Sequence, residues 1–267
     1  MFRICCSTRT ALLSAAAMML NMAQPVEART VSIEFDADNF SNPLDIDNPY
    51  FPLIPGTTYV YKAETPDGCE EDHFTVTNDT KRITIGGETI TTRVVHDIAY
   101  EDEDCDGVDP SEVIEDTFDW HAQDDSGNVW YFGEKTFDCE GAGSCTLGEG
   151  SWQAGVNGAR PGIVMLADPK SGVRYRQEFA KGVAEDWGMV MNLNRSVRLK
   201  RDDAFPPGQW QDCLITKEWN ALEPGSVEQK IYCEGVGLVA VNEHSGKVVH
   251  FELTAPSSSA LKFRKVR

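Results

Sequence analysis

Residues 102–107, Asp-Glu-Asp-Cys-Asp-Gly, set three aspartates at alternate positions ahead of a glycine. That spacing turns carboxylates to one side of a tight loop, and a hard cation takes oxygen ligands at about 2.3 to 2.6 Å. Asp102, Asp104 and Asp106, with the Val108 carbonyl and Glu112, therefore make a candidate calcium loop. A complete loop of this kind carries a glutamate at its twelfth position, where this chain has Val113. The same residues also read as a solvated acidic turn pinned by Cys105.

Two further groups carry chemical potential. His96, Glu115 and Asp119 supply an imidazole and two carboxylates, the kit of an acid/base hydrolase. With 43 acidic residues in the chain, such pairings also arise by chance. Trp120, Trp130 and Tyr131 are aromatics of neighbouring strands that would wall a site for a small apolar or sugar ligand, or else fill a core. No HExxH, CxxC, GxSxG, P-loop or GxGxxG pattern occurs, which argues against zinc, serine-hydrolase and nucleotide chemistry.

The elements that must hold these groups read as strands. Residues 94–134 contain three runs rich in aromatic and β-branched residues, joined by acidic turns, the pattern of an antiparallel meander. A period of two places Glu115, Thr117 and Asp119 on one face. Ile114, Phe118 and Trp120 take the other, the expected core side, together with Asp116, which there needs a donor such as Arg93. Gly86-Gly87 marks a tight hairpin, Asp124 to Gly127 another turn, and His244-Ser245-Gly246 a third. Residues 31–35 offer a short strand, residues 154–171 a loop with one apolar run, and residues 182–192 the one helix. About a dozen strands at roughly ten-residue spacing predict an all-β fold: an antiparallel barrel, half-barrel or sandwich.

Composition bounds the setting. Residues 1–28 have the basic start, apolar centre and small terminal residue of a secretory signal, and their apolar part is too short to span a bilayer. A polar segment, 29–47, and a single β domain, 48–267, follow. The expected product is periplasmic or secreted, with no transmembrane segment. A formal net charge of −19 repels nucleic acid and attracts cations. Six cysteines follow residue 28, and an even number in an exported chain favours disulfides. Of the fifteen formal pairings, the reading taken is Cys69 with Cys105, Cys139 with Cys145, and Cys213 with Cys233. The tail 261–267 alternates apolar and basic residues, as an edge strand or a membrane-surface segment would.

The phrases NPYFPLIPGTTYVY, VVHDIAYED, EDTFDWHAQDDSGNVWYFGE and TKEWNALEPG resemble those of a group of exported bacterial proteins of uncharacterised function. The resemblance runs from about residue 48 to residue 241 and implies an exported, β-rich chain; it implies no activity and no catalytic residues. The enlarged turn around Cys105 departs from the pattern. Together these readings favour a disulfide-braced β module that binds a small molecule, with an extracytoplasmic hydrolase or a structural envelope protein as the competing classes.

Overall fold

The structure, a computed structural model, describes residues 29–205, 207–244 and 248–254. The signal-like segment, the basic tail and the turn at Ser245-Gly246 lie outside the described residues.

The chain is nearly all β. Its strands are β1 (Arg29–Thr30), β2 (Thr57–Thr65), β3 (Gly68–Ile85), β4 (Glu88–Asp102), β5 (Val113–Gln123), β6 (Val129–Cys139), β7 (Cys145–Leu147) and β8 (Trp152–Gln153). They continue with β9 (Arg160–Met165), β10 (Val173–Arg176), β11 (Glu178–Phe179), β12 (Asp186–Arg198), β13 (Gln209–Asn220), β14 (Val227–Cys233), β15 (Gly237–His244) and β16 (Val248–Leu253). All sixteen belong to one sheet. Alternation builds it: along β2, Thr57, Tyr59, Tyr61 and Ala63 are buried while their neighbours are not. Gly86 and Gly87, at φ +62° and +102°, turn the long β3–β4 hairpin as the Gly-Gly pair predicts.

Two antiparallel meanders make the sheet. One runs β2 to β6 and on to β9, the other β12 to β16, and β16 lies beside β2 through Glu252 opposite Lys62 and Leu253 opposite Tyr61. The ladder stays open, ending at β1 and β11. Its two sides nevertheless meet along one extended run. β10 pairs with β12, and β11, one residue further on, pairs with β9. Gln177, the residue between them, donates its N–H to the Asp186 carbonyl at 2.9 Å. At Gly162 of β9 an added Cβ would stand 2.1 Å from the Gln177 carbonyl oxygen, so glycine is what lets the seam draw together.

A strap crosses one end of the curled sheet. Asn48, 3% exposed, donates through Nδ2 to the carbonyls of Gly127 and Leu166, and the Pro49 carbonyl accepts from Gly235 N–H across the sheet. Pro49, Pro52 and Pro55 keep this stretch extended. From it Phe51 turns inward, its ring 6.5 Å from that of Phe74, 5.7 Å from His121 and 6.3 Å from Tyr232. Disulfides join Cys69 to Cys105, Cys139 to Cys145 and Cys213 to Cys233, the three pairings expected.

Three local expectations need correction. Residues 182–192 form no helix: β12 begins at Asp186 and pairs on both sides with β10 and β13. Gly188, a poor helix former, sits where a Cβ would meet the Tyr175 ring at 2.9 Å, so it serves strand packing. The N-terminal strand is Arg29–Thr30, paired in parallel with β10, and residues 31–36 continue without ladder assignment. Residues 160–165, read as loop, form β9, whose apolar run pairs with β6 beside Val129 to Tyr131.

Candidate functional site

The curled sheet forms a cavity of about 460 Å³, partly open to solvent, whose wall takes side chains from both meanders and from the seam. Phe51 of the strap contributes to its lining. The wall is acidic, with Asp72, Asp97, Asp119, Glu178, Asp186, Glu218 and Glu228 against one lysine, Lys230.

Register explains how these residues meet. Asp72 and Asp97 lie on neighbouring strands, with Phe74 opposite Asp97, so the two carboxyls sit diagonally on one face, close enough for each to act on the other's protonation. Burial pushes the Asp97 carboxyl well above the usual range, and the charge of Asp72 adds to it. Burial likewise raises Asp72. One oxygen of each, Oδ1, is buried with no hydrogen-bond partner, as is Nδ1 of His121. His121 is 4% exposed and lines the same cavity; burial holds its pKa down at about 3, so the ring is neutral.

Beside this group the Tyr131 hydroxyl lies 2.5 Å from Asp119 Oδ1 and 3.0 Å from Glu134 Oε2. Burial pushes Asp119 to about 8, helped by the charge of Asp97. Glu134 also reaches about 8, through burial and the charge of Asp119. Glu178, bonded to Trp152 Nε1 at 3.0 Å, is raised well above its ordinary value, chiefly by burial. On the facing wall Lys230 Nζ reaches Glu218 at 3.1 Å and Glu228 at 2.9 Å. Burial pulls the ammonium down, but the two glutamates outweigh it and hold its pKa well above the usual lysine value.

The structure distributes the sequence-derived candidates among several places. Tyr131 lines the cavity described above; Trp130 lines a second one, and Trp120 packs under Lys81, whose Nζ is 3.3 Å from its ring centroid. Asp119 faces the interior with Tyr131, and Glu115 is near enough to raise its pKa. His96 lies on the opposite face of the sheet, stacked on Phe118 with centroids 4.4 Å apart and with Nε2 2.7 Å from Asp116 Oδ1. The expected core side of β5 is thereby reversed around Thr117 and Asp119, while Trp120, from the expected core set, is buried at 5% exposure. Thr117 and Asp119 are buried at 4% and 8% exposure, while Ile114 is 39% exposed. The interior of this sheet is polar there, so hydrophobicity marks the outer face. Asp116 finds its partner in His96, and Arg93 Nη1 instead donates to the carbonyls of Thr77 and Asn78.

In the acidic turn, Asp102 is 2% exposed and accepts from Cys105 N–H at 2.7 Å and Gly107 N–H at 2.9 Å. Glu112 accepts from Asp109 N–H at 2.7 Å in a capping box. Asp104 and Asp106 are exposed, and Val108 is half-buried. Among the described residues, no group of three His, Cys, Asp or Glu side chains is arranged to hold a metal ion.

Asp72, Asp97, Glu134, Glu178, Glu218 and Lys230 escaped the sequence reading because no local motif joins them. Their one signal is the recurrence of an acid or lysine in step with buried residues, as in Asp72-x-Phe74-x-Val76 and Glu228-x-Lys230-x-Tyr232.

No protein-family model matches the chain, and no curated protein matches it. Among solved structures it is similar to a protein of Bacteroides fragilis NCTC 9343 inferred to be exported and described as having a YmcC-like fold. The identity is 12% and the TM-score 0.40, over 78% of this chain and 99% of that one. No helix of the described residues is long and apolar enough to cross a membrane.

Proposed function

We propose that this chain is an exported binding module, a member of the β-rich group its phrases resemble, and that its interior holds a small polar ligand carrying amine groups. Three disulfides suit an oxidising compartment outside the cytosol. The observation that carries the ligand class is the set of buried, unpartnered atoms Asp72 Oδ1, Asp97 Oδ1 and His121 Nδ1 on residues lining one cavity. A buried polar atom without a partner is expensive, by about 1 to 3 kcal/mol, and a ligand donating hydrogen bonds removes that penalty. The volume suits a molecule of sugar or polyamine size, and the surplus of carboxyls selects the cation over the neutral polyol. An apolar ligand would leave those atoms unsatisfied.

Native mass spectrometry and calorimetry with spermidine and with maltose test the reading. Spermidine is expected to bind one to one and to release protons, because carboxyls held protonated ionise beside an ammonium; binding heats will then vary with the buffer. Asp97→Asn should weaken it about tenfold or more with the circular dichroism spectrum unchanged. Absence of a saturable spermidine complex at millimolar concentration, or equal binding by the variant, would overturn it.

A second reading, acid catalysis, is favoured by Asp119 in the cavity wall, which shares the Tyr131 hydroxyl with Glu134, since a carboxyl with a pKa near 8 is a competent proton donor at neutral pH. Turnover of nitrophenyl glycosides that disappears in Asp119→Asn would establish it.

A further inference from the structure

Outside the sheet, a second cavity of about 380 Å³ opens between residues 31–35 and the seam. Its lining is aromatic and aliphatic, including Phe35, Trp130, Ile163 and Trp187, but it also holds two guanidinium groups, Arg160 and Arg176. Arg176 lies 4.2 Å from the Trp187 ring centroid and 5.1 Å from that of Phe179, and Arg160 lies 4.4 Å from Phe179. Among the described residues neither arginine has a carboxylate within ion-pair distance, and Arg176 Nη1 is buried with no hydrogen-bond partner. Glu185 and Asp186 act on Arg176 through space without reaching ion-pair distance, and Arg160 acts on it as a like charge. The one carboxylate in the lining, Glu34, is exposed and accepts from Ser32 Oγ at 3.3 Å.

The rings hold the two guanidinium groups beside one another, and a guanidinium with a donor still unpartnered is the group that receives a carboxylate in a forked pair. The aromatic wall beside them would cover an apolar body. We infer that this cavity is a binding site for an amphiphilic carboxylate, with Arg176 and Arg160 receiving the head group and Trp130, Trp187 and Phe35 covering the chain. The site is independent of the acidic interior: charge alone makes the two accept opposite ligands.

Decanoate is the probe, with decanol and decylamine as controls. Two of its wall residues are tryptophans, so saturable binding should change tryptophan fluorescence, and calorimetry gives the affinity. Decanoate is expected to bind at least about tenfold more tightly than decanol, and decylamine not at all. Arg176→Gln should remove that preference while leaving decanol binding as it was. Where Arg176→Gln fails to fold, by circular dichroism, Arg160→Gln serves, with the same expectation. Spermidine binding in the interior should be indifferent to either change. Equal affinity for decanoate and decanol, unchanged decanoate binding in the folded variants, or no saturable decanoate binding up to 1 mM (on the order of the weakest affinity worth assigning) would overturn the inference.

Discussion

Tyr131 places its single hydroxyl between two acids, 2.5 Å from Asp119 Oδ1 and 3.0 Å from Glu134 Oε2. A phenol has one hydrogen to donate, so it serves one carboxylate, and the second contact is a hydrogen bond only when that carboxyl carries a proton of its own. The geometry therefore calls for proton retention, in agreement with pKa values near 8 for both acids.

Stability should consequently fall as pH rises. Asp119 and Glu134 have folded pKa values of about 8, above the ordinary 3.8 and 4.5, so the folded state binds more protons than the unfolded chain between those limits. Their contribution is fully present below pH 4 and is lost as pH rises through about 8. His121, held at about 3, acts oppositely and erodes stability as pH drops below 6.5. Two acids against one histidine leave a net decline from pH 5 to pH 9. Ligand-free protein should melt several degrees lower at pH 9 than at pH 5.5, by scanning calorimetry, and Asp119→Asn should flatten the dependence. A melting temperature that climbs over this range contradicts the assignment.

Closure of the seam rests on Gly162. Alanine there would put Cβ 2.1 Å from a backbone oxygen of Gln177, which no rotamer relieves. Gly162→Ala is expected to destabilise the fold by about 2 to 4 kcal/mol, a drop of roughly 5 to 15 °C in melting temperature. Hydrogen exchange should show the loss first in β9 and β11. A variant as stable as the parent would mean that β11 does not hold β9 in solution.

Lys230 compensates a buried acid. Glu218, with its side chain 8% exposed, also accepts from Thr216 Oγ1 at 2.7 Å and Tyr232 at 3.3 Å. Lys230→Met leaves that carboxylate without its cation and should lower stability by about 3 kcal/mol in urea titrations. Adding Glu218→Gln should restore most of the loss, since the amide oxygen keeps both hydroxyl contacts. Additive losses in the double variant would show that the pair is not coupled.

How much of this was legible in the sequence depends on the range of the interaction. Hairpins fixed by short-range chemistry, such as Gly86-Gly87, were readable because few residues reach positive φ cheaply. Cys213 with Cys233 was readable because its strands are neighbours in order and Cys139 with Cys145 because it closes a short loop, whereas Cys69 with Cys105, in the turn after β4, was left by elimination. The faces of β5 were not: period two divides Thr117 and Asp119 from Phe118 without saying which set faces in, and the usual guess fails where a sheet wraps a polar space. The pairing of Asp72 with Asp97 depends on the register of a long hairpin, and Lys230 meets Glu218 only through the β13–β14 ladder. Gly188 misled because its role, making room for Tyr175, is invisible without the neighbouring strand.

The bond between β2 and β16 sets an order of events. Tyr61 meets Leu253 only after the chain has been synthesised as far as β16, so until then the outer edge of β2 has no native neighbour. Such distant pairing makes completion slow and leaves an adhesive border exposed meanwhile. A chaperone that shields extended segments would act on this protein chiefly in that interval, and a truncation just before Val248 should leave the first meander with a permanent tendency to associate.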